Sequence, residues 1–183
     1  MSLRSAGVGL PDVGEHVAGL VRQVPDFPSP GVLFQDITPL LADGPAFAEV
    51  VRAIGEPFRG TVDAVAGIEA RGFILAAPLA VELGVGLLAV RKSSKLPPPV
   101  LAEEYALEYG RATIELSTGI MRPGMRVLLV DDVLATGGTA AAACRLLEDA
   151  GATVTAVVVL IEIPALGGRT PLGGRDVRAL LST

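Results

Sequence analysis

Cysteine is almost missing from this chain: Cys144 stands alone among 183 residues. That excludes an intrachain disulfide framework and fits a reducing compartment, with the cytoplasm as the expected location. Histidine is as scarce, with only His16. His16 falls on a polar helix position and is expected at the surface, while Cys144 sits on an alanine-rich stretch and reads as an inert buried thiol. Neither has a partner, so a Cys–His nucleophile pair is excluded. No Gly-Lys-Ser/Thr occurs, which rules out a Walker A loop. Basic charge is also in short supply, 15 Lys and Arg against 20 Asp and Glu, for a formal net charge of −5. A global nucleic-acid footprint is therefore not expected. Met1 to Pro11 lacks the basic start and apolar stretch of a signal peptide, and there is neither an internal repeat nor a low-complexity linker.

What is abundant is apolar: half the residues are hydrophobic, and the mean hydropathy is +0.54. The longest candidate for a membrane span, Gly72 to Val90, approaches the ~20 residues a spanning helix needs. Pro78, Glu82, Gly84 and Gly86 interrupt it, and a buried helix followed by a buried strand fits better, since parallel strands covered on both faces read as continuous apolar runs. No membrane association is expected. The chain is one domain's length, 1–183, and long enough for a single core. Its only two lysines, Lys92 and Lys95, fall together in Arg91-Lys92-Ser93-Ser94-Lys95. In a chain that otherwise uses arginine, this suggests an anion site served by mobile point charges.

Helical spacing of Val17, Leu20, Val21 and Val24 predicts an amphipathic helix over Gly14 to Val24. Asp26 to Pro39 is rich in proline and glycine and carries Phe34. Helices are expected at Pro45 to Ile54, Phe73 to Leu83 and Thr139 to Ala150. Strands are expected at Val62 to Ile68, Val85 to Val90, Tyr105 to Leu116, Arg126 to Val130 and Thr153 to Ile163. Three consecutive prolines and mixed charge make Ser93 to Tyr105 a mobile loop. Strands alternating with helices give an α/β fold, a mostly parallel central sheet with helices on both faces. Ligands in such folds bind beyond the carboxyl ends of the strands.

The run Val127-Leu128-Leu129-Val130-Asp131-Asp132-Val133-Leu134-Ala135-Thr136-Gly137-Gly138-Thr139 is the most informative stretch. An apolar strand delivers two adjacent acids, then a loop with two glycines and two threonines, then a helix. Loop amides and a helix N-terminus bind phosphate, and glycine lets the ligand approach the backbone. Acids beside a phosphate site suit the vicinal hydroxyls of a sugar or a hydrated Mg²⁺.

This run resembles the 5-phosphoribosyl-1-pyrophosphate (PRPP) signature of the type I phosphoribosyltransferases. From about Asp26 to Ile163 the chain is similar to the adenine phosphoribosyltransferases. The further segments that carry the likeness are Asp26-Phe27-Pro28, Pro30-Gly31-Val32-Leu33-Phe34, Ala70-Arg71-Gly72-Phe73, Arg91-Lys92 with Lys95-Leu96-Pro97, and Leu107-Glu108-Tyr109-Gly110. The resemblance implies the type I phosphoribosyltransferase fold with a small N-terminal hood (about 12–40) and a flexible active-site loop (about 93–109). It implies that Asp131 and Asp132 face the ribose hydroxyls and that Ala135, Thr136, Gly137, Gly138 and Thr139 hold the 5′-phosphate. Arg71 would bind pyrophosphate, assisted by Arg91, Lys92 and Lys95. Phe34 would stack on adenine, and Glu108 would be the general acid near N7, with Tyr109 beside it. A cis Glu69–Ala70 peptide, Mg²⁺ carried mainly by PRPP, and a homodimer are also implied. No protein metal ligands are expected.

Gln35, expected beside Phe34 among the substrate-binding residues, departs from the pattern, since arginine commonly follows the hood phenylalanine, and so does the proline-rich, acidic loop Lys95 to Glu104. The likeness is weak after Pro164. Two other readings stay open: transfer to another purine base such as xanthine, hypoxanthine or guanine, and a PRPP-sensing regulator of the same fold without catalysis.

Overall fold

In the computed structural model, residues 3–5, 10, 12–106 and 110–183 are described. The elements run β1 (Arg4–Ser5), α1 (Gly14–Gly19), β2 (Arg22–Pro25), β3 (Leu33–Asp36), α2 (Thr38–Ala42), α3 (Gly44–Gly55), β4 (Ala64–Ile68), α4 (Arg71–Leu83), β5 (Gly86–Lys92), β6 (Val100–Ala106), β7 (Arg111–Ser117), β8 (Arg126–Leu134), α5 (Gly138–Asp149), β9 (Thr153–Glu162) and β10 (Val177–Ser182). Eight strands form one sheet in the order β1-β10-β9-β8-β4-β5-β7-β6. The central run β10-β9-β8-β4-β5 is parallel, and antiparallel pairs flank it at both ends.

The two-residue period of the strands sorts the core into two layers. Leu128 and Val130 of β8 and Val158 and Leu160 of β9 point to the side covered by α3 and α4. Their neighbours Val127, Leu129, Val157 and Val159 point to the side covered by α5. On α5, Ala140, Ala141, Ala142 and Ala143 are all buried, and their small side chains let the helix backbone lie close to the sheet. Cys144 is buried with them, as expected, and burial pushes its thiol up to about 11. His16 is exposed, also as expected. Among the described residues no helix is long and apolar enough to cross a membrane.

Several elements differ from the sequence expectations, among them the strand expected over Tyr105 to Leu116: Tyr105 belongs to β6, opposite Ala112, and β7 begins at Arg111. The first helix stops at Gly19, and Arg22–Pro25 instead pairs antiparallel with Leu33–Asp36. Leu20, Val21 and Val24 satisfy a helical period, but the two-residue period of the hairpin takes over from Arg22 and puts Val24 opposite Phe34. The hairpin forms a two-stranded sheet apart from the main one. Ser93 to Tyr105 is not a loop throughout: Val100–Ala106 is an edge strand along β7. Its prolines precede the strand, and charges such as Glu103 and Glu104 are what an exposed edge carries. The strand expected to end at Val130 continues to Leu134, because β9 keeps pairing with it past the acids, Asp131 with Val159 and Val133 with Ile161. Finally, the weakly matching C-terminal stretch supplies a parallel strand, β10, beside β9.

Candidate functional site

The site is built at the carboxyl ends of β4, β5 and β8. Strand β8 brings Asp131 and Asp132 there, and the chain then turns through Ala135–Gly137 into α5. Gly137 occupies the N-cap position with φ 79°. Among the described residues no side chain caps α5, so the positive end of its dipole and its first-turn amides are available to an anion. Thr139 Oγ1 lies 3.3 Å from the Tyr105 hydroxyl, which ties the β6–β7 hairpin to the loop. A further link is the ion pair of Arg145 on α5 with Glu103 on β6, at 2.6 Å.

The two acids have different surroundings. Asp131 Oδ1 accepts from the backbone N–H of Asp132 at 2.9 Å. Burial, and then the charge of Asp132, push the Asp131 carboxyl well above the usual carboxylate range. Asp132 is 5% exposed, and its Oδ2 lies 2.6 Å from Arg71 Nε. The guanidinium N–H does not point along that line, so Oδ2 has charge compensation without a directed hydrogen bond. The approach of α4 to these acids depends on Gly72. A Cβ there would sit 2.8 Å from the Val130 carbonyl oxygen and 3.0 Å from Asp131 Oδ1.

Arg71 opens α4, just beyond β4, and joins the acids to the hood. Its guanidinium carbon is 4.8 Å from the centroid of the Phe34 ring, a cation–π contact. Phe27 meets Phe34 edge-on with centroids 5.0 Å apart. A cavity of about 460 Å³ lies between the hairpin, α2 and α4, lined by Phe27, Phe34, Ile37, Leu41, Arg71 and Ile74 among others. At its rim Arg22 pairs with Asp36 at 2.6 Å. Hydrogen bonds from Thr38, with Arg22, lower the Asp36 carboxyl to about 2.

Gln35 alternates with Phe34 along β3 and so lies on the opposite face of the hairpin. Its side chain is buried, and among the described residues its Oε1 finds no hydrogen-bond partner, nor does the buried Nε2 of Gln23, its cross-strand neighbour. Of the four expected cations, two meet through their side chains, Arg91 and Lys95, and they do so on Glu69, while Arg71 pairs with Asp132 instead. Glu69 accepts from Lys95 Nζ at 2.8 Å, from the Lys92 backbone N–H at 2.9 Å and from Arg91 Nε at 3.3 Å. Lys95 foremost, with the Lys92 amide and Arg91, holds its carboxyl down at about 2. The Lys92 side chain is exposed. The Glu69–Ala70 peptide is cis, as the resemblance implied. Glu108 and Tyr109 lie outside the described residues. Glu69 and Tyr105 could have been flagged: one is an isolated acid between an apolar strand and Arg71, the other an aromatic directly after two acids.

An uncapped helix start after a strand-to-helix turn, paired acids before it, and Arg91 on β5 with Lys95 in the turn beyond it gathered at Glu69 form an arrangement suited to an anionic sugar-phosphate ligand. Residues 41–170 match the phosphoribosyl transferase domain. The chain is 61% identical over 176 residues to the adenine phosphoribosyltransferase of Kineococcus radiotolerans, covering 93% of this chain and 95% of the relative. The solved adenine phosphoribosyltransferase of Thermoanaerobacter pseudethanolicus superposes with a TM-score of 0.89 at 42% identity, covering 92% of this chain and 99% of that one. The Saccharomyces cerevisiae enzyme, solved in complex with adenine and an imino-altritol bisphosphate, gives 0.88 at 34% identity and covers 92% and 98%. The chain belongs to the adenine phosphoribosyltransferase family.

Proposed function

We propose that this protein joins adenine to PRPP, releasing pyrophosphate and giving AMP, a purine-salvage reaction. The observation that carries the reading is the bridge made by Arg71, which contacts Asp132 on the sugar-phosphate side and Phe34 on the hood side. One residue thus spans the places where a phosphoribosyl group and a planar base have to meet.

In this reading N9 of adenine attacks C1′ of the ribose, the C1′–O bond to pyrophosphate breaks, and configuration inverts. Ala135 to Thr139 hold the 5′-phosphate, and Asp131 and Asp132 accept from the ribose hydroxyls. The pull of those hydroxyls offsets the burial that keeps Asp131 reluctant to ionise. Arg71, Arg91, Lys92 and Lys95 balance the charge of the leaving pyrophosphate. Phe34 stacks on the base, and Gln35 supports the hood from its other face. Glu108 is assigned to the proton at N7: it accepts that proton as N9 bonds to C1′ in AMP synthesis and returns it in the reverse reaction, with Tyr109 beside it. Mg²⁺ carried by PRPP would supply charge neutralisation at the pyrophosphate oxygens. The hard oxygens of Asp131 and Asp132, one of them without a directed hydrogen bond, suit its hydration shell.

A homodimer and a cytoplasmic location complete the proposal. The dimer is supported by Val81, which stands exposed on α4, with Leu87 exposed on β5. The location is supported by the lone unpaired cysteine. The test is turnover of PRPP with adenine, hypoxanthine, guanine or xanthine in parallel. AMP formation from adenine, well above product from any oxopurine, is expected; oxopurine turnover without adenine turnover overturns the reading.

A further inference from the structure

The glycine-rich stretch after Pro164 supplies no group to the proposed reaction, yet it lies directly against the proposed phosphate loop. A Cβ on Gly137 would stand 2.0 Å from the Gly168 carbonyl oxygen and 2.9 Å from Pro171 Cγ. Conversely, a Cβ on Gly168 would stand 2.4 Å from the Ala135 carbonyl oxygen and 2.8 Å from Leu134 Cγ. Backbone lies directly on backbone, and the contact is reciprocal, so neither side can yield without moving the other.

The turn that presses on the loop is itself fixed from behind. The Arg169 guanidinium forks onto Glu162, Nε to Oε1 and Nη2 to Oε2, each at 2.7 Å. Its Nη1 donates to the Val177 carbonyl at 2.8 Å. Glu162 is 8% exposed and sits opposite Leu134 in the β8–β9 ladder. The N–H of Ile163 donates to the Leu134 carbonyl at 3.0 Å. The Arg169 fork therefore locks the turn to β9 and β10, and β9 locks it to β8, the strand that feeds the loop. A bidentate, partly buried Arg–carboxylate pair is a rigid spacer in a way that a lysine cannot reproduce.

We propose that Gly168, with the Arg169–Glu162 pair behind it, is a positioning element that sets the shape of the 5′-phosphate cradle. None of the three would touch substrate. They act by holding Ala135 and Gly137 where the loop amides converge on one phosphate, and displacements well under 1 Å matter to a site built from backbone donors. The inference rests on the assignment of Ala135 to Thr139 as that cradle.

The experiment compares AMP and adenosine, which differ only in the 5′-phosphate, by calorimetry on the full chain, with steady-state kinetics alongside. Gly168→Ala should cut the ratio of AMP to adenosine affinity at least tenfold and raise KM for PRPP by a similar factor. The KM for adenine should stay within twofold. Arg169→Lys, which keeps the charge but loses the fork, should move the same ratio about threefold, and Arg169→Met further. Should Gly168→Ala fail to fold, the two Arg169 variants decide alone. An unchanged ratio in the folded variants, or an equal loss of AMP and adenosine binding, overturns the proposal. Adenine turnover by the unaltered chain tests the function itself, so the two failures are distinguishable.

Discussion

Glu69 is the residue whose situation says most about how this site is poised. A carboxylate only 9% exposed at its side chain gathers Arg91 and Lys95, cations assigned to pyrophosphate. Its charge offsets the repulsion between the two cations. The same pairing has a consequence for acid stability. The Glu69 carboxyl lies at about 2 in the folded chain against an ordinary value of 4.5. Because the folded value is the lower, the pairing stabilises fully above pH 4.5, and the benefit fades as the pH falls towards 2. Glu69→Gln removes that dependence. Thermal melts between pH 5 and pH 2.5 should therefore show a shallower fall in Tm for the variant than for the unaltered chain. Both chains will still decline, because Asp36 and Asp63 are lowered to about 2 in the same way. Parallel curves would mean that Glu69 is not ionised by its neighbours in the folded state.

At the level of elements, α5 combines a chemical and a packing role, with amides at one end for an anion and four consecutive buried alanines along its length. Cys144 lies within that packing, its thiol held near 11. A native sample at pH 8 should leave it unlabelled by an aromatic disulfide reagent, with full reaction only after denaturation; ready native labelling would show that α5 leaves the sheet easily. Most elements were legible because periodicity and composition agreed: the apolar runs of β4, β8 and β9, and the alanine run of α5. Legibility failed where a long-range partner decides. Arg22–Pro25 carries a helical period and becomes a strand because Leu33–Asp36 lies beside it. Val100–Ala106 carries loop-like charge and becomes a strand because β7 offers it a ladder. The same limit holds for the site. Asp131, Asp132 and Ala135 to Thr139 are contiguous and could be read as one motif. The Arg71–Phe34 contact, the Glu69 cluster and the pressure of Gly168 on Gly137 join segments far apart in the chain, and local sequence does not encode proximity.

For the molecule as a whole, the exposed face of α4 is the feature that calls for a partner surface. Val81 is 82% exposed, and it lies on the surface proposed to meet a second copy. Val81→Glu should convert a dimer to single protomers in light scattering without altering the circular dichroism spectrum. A single-protomer mass for the unaltered chain would count against the homodimer. The sheet carries a different kind of consequence, one that belongs to the order in which the molecule comes together. Its two central strands, β4 and β8, pair in parallel, and the Asp63–Arg126 contacts beside them close a loop of 63 residues. Parallel pairing across such a span is late and entropically slow to form compared with hairpins such as β6–β7. Arg71 follows one of those two strands and Asp132 lies on the other, so their contact exists only after the slow pairing is complete. The proposed activity therefore doubles as a clock for folding: a chain regaining its shape would recover its hairpins and helices first, and its chemistry last.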